Sequence, residues 1–242
     1  MRVEQIEVDS AVFGRPVLSL HELAPTDDLA AVEMRYVEQF RPIYVYCRVP
    51  LEELAVIHRL EQHGFRLVEC QIRSTVRFDQ DYDVSRYPYV YERVQTREAL
   101  DPVLEIAEKS VEHDRLSMDS AVPSGISGER YRRYVEKSFS APNESVWRLF
   151  DPASNQTLNF RTHRVTSPQE VLLLLGGVNP EFQGLGLGAI SSYFCFNQMR
   201  RDGFRRGVTH ISAINYRVFN LEIGGMGFRV NATFAILRKV YP

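Results

Sequence analysis

The chain is short of cysteine, of net charge and of long apolar runs. Three cysteines, Cys47, Cys70 and Cys195, stand far apart in 242 residues, with no pair at metal-ligand spacing. A disulfide framework is excluded on that count, no metal is expected, and a reducing cytoplasm is the expected compartment. The net charge is -2, from 29 Lys and Arg against 31 Asp and Glu. A nucleic-acid binder would carry a basic surplus, so no nucleic-acid partner is expected. No stretch approaches about 18 apolar residues, so no membrane span is expected either. The opening residues MRVEQIEVDS lack the apolar core of a signal peptide. Neither an internal repeat nor a low-complexity tract is visible. What is present is ordinary for a soluble globular protein, with 44% hydrophobic and 25% charged residues. At about 150 residues per domain the length gives about 1.6 domains.

Two regions emerge from the patterning. Residues 1–80 read as a small α/β unit. Asp27 to Phe40 is a helix candidate, and Tyr44 to Val49 is β-branched and aromatic, as strands are. Pro50 is expected to open a helix carrying Leu51, Leu54, Ile57 and Leu60 on one face, closed by Gly64. Phe65 to Phe78 reads as one longer strand. The polar stretch Asp79 to Pro88 lacks periodicity and reads as a linker. Residues 89–242 form the second unit. It opens with a strand at Tyr89–Val94 and a helix capped by Thr96. A loop over Asp114–Gly128 and a helix over Glu129–Phe139 follow. Strands are expected near Val146–Phe150 and Thr157–His163, turning at Pro152 and Asn155. Val171 to Leu175 is apolar on both faces and belongs in a sheet centre.

The strongest motif follows that run directly. Val178-Asn179-Pro180-Glu181-Phe182-Gln183-Gly184-Leu185-Gly186-Leu187-Gly188-Ala189 enters an amphipathic helix at Ile190–Arg201. Glycines let successive amide N–H groups converge on one locus, and a helix N-terminus adds partial positive charge. Together they suit a pyrophosphate. No Gly-Lys-Ser/Thr is present, which excludes a nucleotide-triphosphate loop, and the spacing differs from the dinucleotide fingerprint.

These residues resemble a known superfamily. Gln183-x-x-Gly186-x-Gly188, preceded by Val178-x-Pro180, resembles the acyl-CoA pyrophosphate loop of the GCN5-related N-acetyltransferases. Asn215, Val218, Asn220, Leu221 and Gly227-Phe228 resemble a downstream segment of the same family. The resemblance implies an α/β fold with a central mixed, mostly antiparallel sheet flanked by helices, here preceded by the small N-terminal α/β domain. It implies acetyl-CoA as cosubstrate and a primary amine as acceptor. It places Gly177, Val178, Gln183, Gly184, Leu185, Gly186, Leu187, Gly188, Ala189, Asn215 and Asn220 around the cofactor. A narrower resemblance, to the dTDP-fucosamine acetyltransferases, rests on Asp9-Ser10, Phe13-Gly14, Tyr46 to Pro50, Gly64-Phe65, His113 to Leu116 and Tyr131-x-x-Tyr134. It implies an amino sugar nucleotide as acceptor. It also suggests Asp114, Arg115, Tyr131 and Tyr134 as substrate contacts. A homodimer is left open.

Acyl transfer needs a base for the amine, an N–H facing the thioester oxygen and an acid for the departing thiol. Gly177 or Val178 would supply the N–H, with Gly176-Gly177 permitting a bulge. The family's usual acid is a tyrosine after Asn215. Counting forward from Asn215 gives Glu222 and counting back from Gly227 gives Ile223, so one residue is inserted in Ile223–Met226 and no tyrosine occurs. Glu222 could serve only if desolvation raised its pKa, and a solvated helix charge is the simpler expectation. His113, Asp114, Asp119, His163 and Glu170 are the base candidates, His113 foremost because its ordinary pKa suits the task. A catalytically silent acyl-CoA-binding module, or an acetyltransferase for an amino acid, peptide or small amine, are the alternatives.

Overall fold

The computed structural model describes residues 1–110 and 113–242. The chain runs β1 (Arg2–Gln5), α1 (Glu7–Phe13), β2 (Val17–His21), α2 (Leu29–Phe40), β3 (Tyr44–Pro50), α3 (Leu54–Gln62) and β4 (Arg66–Arg77). After the irregular segment come β5 (Val90–Arg93), α4 (Arg97–Lys109), α5 (Arg115–Met118), α6 (Ile126–Ser140), β6 (Glu144–Asp151), β7 (Gln156–Ser167) and β8 (Glu170–Val178). The last part is α7 (Leu187–Arg201), β9 (Arg206–Ser212), α8 (Tyr216–Asn220) and β10 (Arg229–Val240). The strands form one sheet in the order β1-β2-β3-β10-β4-β9-β8-β7-β6-β5. Only β2 with β3 and β8 with β9 are parallel; the remaining pairs are antiparallel. This is the mixed, mostly antiparallel sheet flanked by helices that the resemblance implied.

Strand alternation decides what each face meets. Val45, Cys47, Val49, Ala235 and Leu237 point to one face and build a core with α2 and α3. Val76, Leu173 and Val171 lie on that same face farther along the sheet and pack under α7 with Cys195, Phe196 and Met199. The opposite face carries Phe160 and Val146 under α4 and α6, and Val17 and Tyr44 near α1 and α5.

The order of strands contains a repeat invisible in the residues. The module β2-α2-β3-α3-β4 has the same topology as β8-α7-β9-α8-β10. Each starts with a parallel strand pair, and each sends its last strand into the other module. Thus β10 pairs with β3, β4 pairs with β9, and β4 and β10 pair with each other. The polar segment around residues 79–88 is where the chain leaves the sheet, yet the units on its two sides share that sheet.

Local details depart from the sequence expectations. Pro50 ends β3, opposite Phe234, and the helix starts only at Leu54. The loop over 114–128 contains α5, because Asp114 accepts a hydrogen bond from Ser117 N–H at 2.8 Å and the Ser117 hydroxyl accepts one from Asp114 N–H at 3.0 Å. That reciprocal cap stabilises a single turn. The elements β1, α1 and β2 are additional to those the patterning indicated.

Candidate active site

Strands β8 and β9 start together and then part. Their last paired residues are Leu173 and Thr209. Leu174 marks the cause, since Thr162 pairs with Leu175 and His163 with Leu173. Leu174 is therefore an unpaired extra residue, and a bulge bends the strand away from its neighbour. The bulge falls here, ahead of the Gly176-Gly177 position suggested by the sequence. Beyond it β8 continues to pair with β7 and leaves a wedge toward β9.

The ladder phase fixes which amides face that wedge. Asn179 N–H donates to Leu158 O at 2.9 Å. In an antiparallel ladder this direction alternates, so Gly177 N–H also faces β7, while the Gly176 and Val178 N–H groups face the wedge. Gly177 serves a different need. A Cβ there would stand 2.3 Å from Ser110 Oγ and 2.7 Å from Phe160 Cε1, so glycine lets the C-terminal end of α4 settle on the strand. Of the two expected N–H donors, Val178 has the matching direction.

The glycine motif closes the end of the wedge. Gly184 and Gly186 have φ of 84° and 74°, a region that side chains other than glycine rarely adopt. Gln183 N–H donates back to Pro180 O, and Ala189 N–H donates to Gly186 O at 3.0 Å. Among the described residues, the five N–H groups from Gly184 to Gly188 make no hydrogen bond. They are the unsatisfied donors of a helix start, gathered at its positive end. The expected cradle thus narrows to these five residues; Gln183 and Ala189 spend their amides within the chain. A Cβ on Gly188 would lie 3.7 Å from Leu221 Cδ2 and 4.0 Å from Val178 Cγ2, so α7, α8 and the end of β8 converge here.

Glu222 lies at this convergence, in a π-helical turn over Leu221–Gly225. A π-turn holds one extra residue in a helix. The surplus residue inferred from the spacing is accommodated in this way. Asn215 caps α8, accepting from Val218 N–H at 3.3 Å, and Asn220 lies exposed at its end. The half-buried Glu222 carboxylate accepts a hydrogen bond from Ser74 Oγ on β4 at 3.4 Å. Burial pushes its pKa up to about 7, against the lowering influence of Arg161 and Ser74. It is therefore no ordinary solvated charge, as the simpler expectation had it. Arg161 is held under α7 by Ser191 Oγ at 3.1 Å, Ser192 Oγ at 2.7 Å and Gly188 O at 3.1 Å.

No protein-family model matches the chain, and no curated protein matches it in sequence. Solved structures do match. A GCN5-related N-acetyltransferase from Sphaerobacter thermophilus aligns over 98% of this chain and 76% of its own, at 14% identity and a TM-score of 0.68. A tandem GNAT protein from the clavulanic acid biosynthesis pathway aligns over 95% and 77%, at 12% identity and 0.65. A GCN5-related N-acetyltransferase from Kribbella flavida aligns over 94% and 82%, at 12% identity and 0.62. The chain has the GCN5-related N-acetyltransferase fold. At these identities the likeness is one of fold, and an acceptor does not follow from it.

Within this acetyltransferase fold, most of the expected acceptor-side residues are engaged structurally. Asp9 on α1 accepts from Arg130 Nε at 2.7 Å and from Arg115 Nη2. Burial alone would raise the Asp9 pKa; Arg130 and Arg115 outweigh it and hold it below the usual range. Arg115 also stacks on Tyr46, its guanidinium carbon 4.0 Å from the ring centre. The guanidinium expected to contact substrate is thus buried in an ion pair. Asp114 accepts from Ser127 Oγ at 2.9 Å besides capping α5. Tyr134 and Tyr131 flank the Arg130 guanidinium at 4.6 and 5.4 Å. Asp119 binds Arg238 through two hydrogen bonds, at 2.6 and 2.7 Å.

Two base candidates lie outside the wedge altogether. His163 is buried beneath α7 with its Nε2 3.4 Å from Cys195 Sγ, and burial followed by Arg161 pushes its pKa down to about 3. Glu170 pairs with Arg206 at the opposite end of β8. His113 is exposed just ahead of α5.

Proposed function

We propose that the protein is an N-acetyltransferase that moves an acetyl group from acetyl-CoA to a primary amine. The observation that carries this reading is the cradle of free N–H groups, Gly184 to Gly188, at the mouth of a wedge opened by a bulge. Such a cradle fits a pyrophosphate, and the wedge gives a pantetheine arm a path between two strands. When bound, acetyl-CoA supplies an activated acyl group. The Val178 N–H is positioned to donate to the oxygen on which negative charge develops. Glu222, with a pKa near neutrality, can hold the proton that the departing thiol requires. It takes the place that the resemblance gives to a tyrosine. His113, or solvent, removes the proton from the attacking amine. The amino sugar nucleotides implied by the narrower resemblance are the first acceptors to try, followed by amino acids, peptides and small amines.

The test is thiol release on mixing the protein with acetyl-CoA and a panel of amines. Release that depends on one class of amine supports the enzyme. Acetyl-CoA binding with no release on any amine would instead favour a silent acyl-CoA-binding module.

A further inference from the structure

Arginines buried or half-buried in this molecule generally have a carboxylate. Arg115 and Arg130 share Asp9, Arg148 has Glu92, Arg164 has Glu144 and Arg238 has Asp119. Arg161 on β7 has serine hydroxyls and a carbonyl oxygen in place of one. Among the described residues, the guanidinium groups of Arg48, exposed on β3, and Arg73, half-buried on β4, make no hydrogen bond and no ion pair. Both project from the face opposite α7 and α8. The register shows it: Arg73 pairs with His210, Gln71 with Phe234, and Arg48 with Ile236. Phe234 stands between them, 5.7 Å from the Arg48 guanidinium carbon and 6.1 Å from the His210 ring.

This cluster adjoins the wedge. His210 is the next residue after Thr209, where β9 loses its partner β8. Strands about 4.8 Å apart put β4 about 5 Å and β3 about 14 Å from β9, within the span of a small amine and its substituent. The surroundings are positive. Burial, then Arg48 and Arg73, push the His210 pKa down to about 4. The carboxylate facing the cluster is Glu69, itself bound by Gln71 Nε2 at 2.9 Å. A guanidinium open to solvent in such a place is satisfied best by an oxyanion from outside, bound through its fork of donors.

We propose that the acceptor amine carries an oxyanion, carboxylate or phosphate, and that Arg48 and Arg73 hold it beside His210. This rests on the acetyltransferase reading, and it names the acceptor class. The first test needs no turnover. Inorganic phosphate and acetate are titrated separately into the whole protein while the His210 ring is followed by NMR. A bound anion should raise the His210 pKa by about one unit, and Arg48→Ala with Arg73→Ala should remove the response. The stronger of the two anions distinguishes a phosphate from a carboxylate acceptor. No response, or an equal response in the double variant, overturns the proposal.

The second test compares acetylation of an amino-sugar phosphate, an amino acid, an amino alcohol and a polyamine. An oxyanion-bearing amine should lead by about ten-fold in kcat/KM, the worth of one charge-assisted contact. The double variant should cost that acceptor at least about ten-fold more than it costs the amino alcohol, with Arg48→Lys recovering part of the loss. Preference for the polyamine, or an equal loss on every acceptor, overturns the proposal. Failure of the underlying reading would look different: no amine on the panel would release thiol from acetyl-CoA, whatever the phosphate titration gave.

Discussion

Glu222 acts at the scale of a single proton. Its folded pKa of about 7 lies above its ordinary value of 4.5 because burial disfavours the ionised form. A raised carboxyl pKa means that the folded state holds the proton more tightly, so stability falls as pH rises from about 4.5 to about 7. Above that window the folded protein carries a penalty of about 3 kcal/mol, and Glu222→Gln should recover it, seen as a higher melting temperature at pH 8. The same substitution should lower kcat about 100-fold at pH 6 and erase a decline in wild-type kcat above about pH 7. An unchanged kcat would remove Glu222 as the acid. The residue was legible in the sequence by position, from counts between Asn215 and Gly227. Its environment was not, since Ser74 and Arg161 reach it from distant strands. Arg48, Arg73 and His210 escaped notice for that reason: only the register of three strands brings them to one face.

At the scale of elements, local chemistry and long-range pairing contributed differently. The glycine motif announced both its turn and its helix, because positive φ and free amides demand glycine there. Of Gly177 and Val178, ladder phase, which depends on the partner strand, turns the Gly177 N–H toward β7 and leaves that of Val178 facing the wedge. Pro50 suits a first helical turn as well as a strand end, and only its pairing with Phe234 decides between them. Arg115 was expected to contact substrate; its pairing with Asp9, more than a hundred residues away, could not be read from the sequence. That pair ties α1 to α5, while Arg130 brings in α6. Removing the carboxylate would leave two buried guanidinium groups without their shared partner. Asp9→Asn should therefore destabilise the fold by about 3 kcal/mol, measured by urea denaturation. A change below about 0.5 kcal/mol would mean that the network contributes little.

At the scale of the whole molecule, the final strand lies inside the sheet, between β3 and β4. β10 completes the N-terminal module and β4 completes the C-terminal one, so the two exchange their last strands. Patterning indicated two units and a linker; the exchange was hidden because topology leaves no periodicity in the residues. One module ends its first strand in the glycine cradle. The other follows β2 with Glu22 to Asp28, which contains no glycine, and Arg59 on α3 bonds Pro25 O in that loop. On the proposed function, acyl-CoA would sit in the C-terminal module. Calorimetric titration of acetyl-CoA into the wild-type protein and into Leu185→Glu tests this most directly. Leu185 is 66% exposed, so the change adds a negative charge beside the free amides without disturbing a buried side chain. Wild-type protein should bind with one site, and Leu185→Glu should weaken binding at least about ten-fold, a loss of about 1.4 kcal/mol. Absence of binding by the wild type, or equal affinity in the variant, would contradict the cradle as the acyl-CoA site.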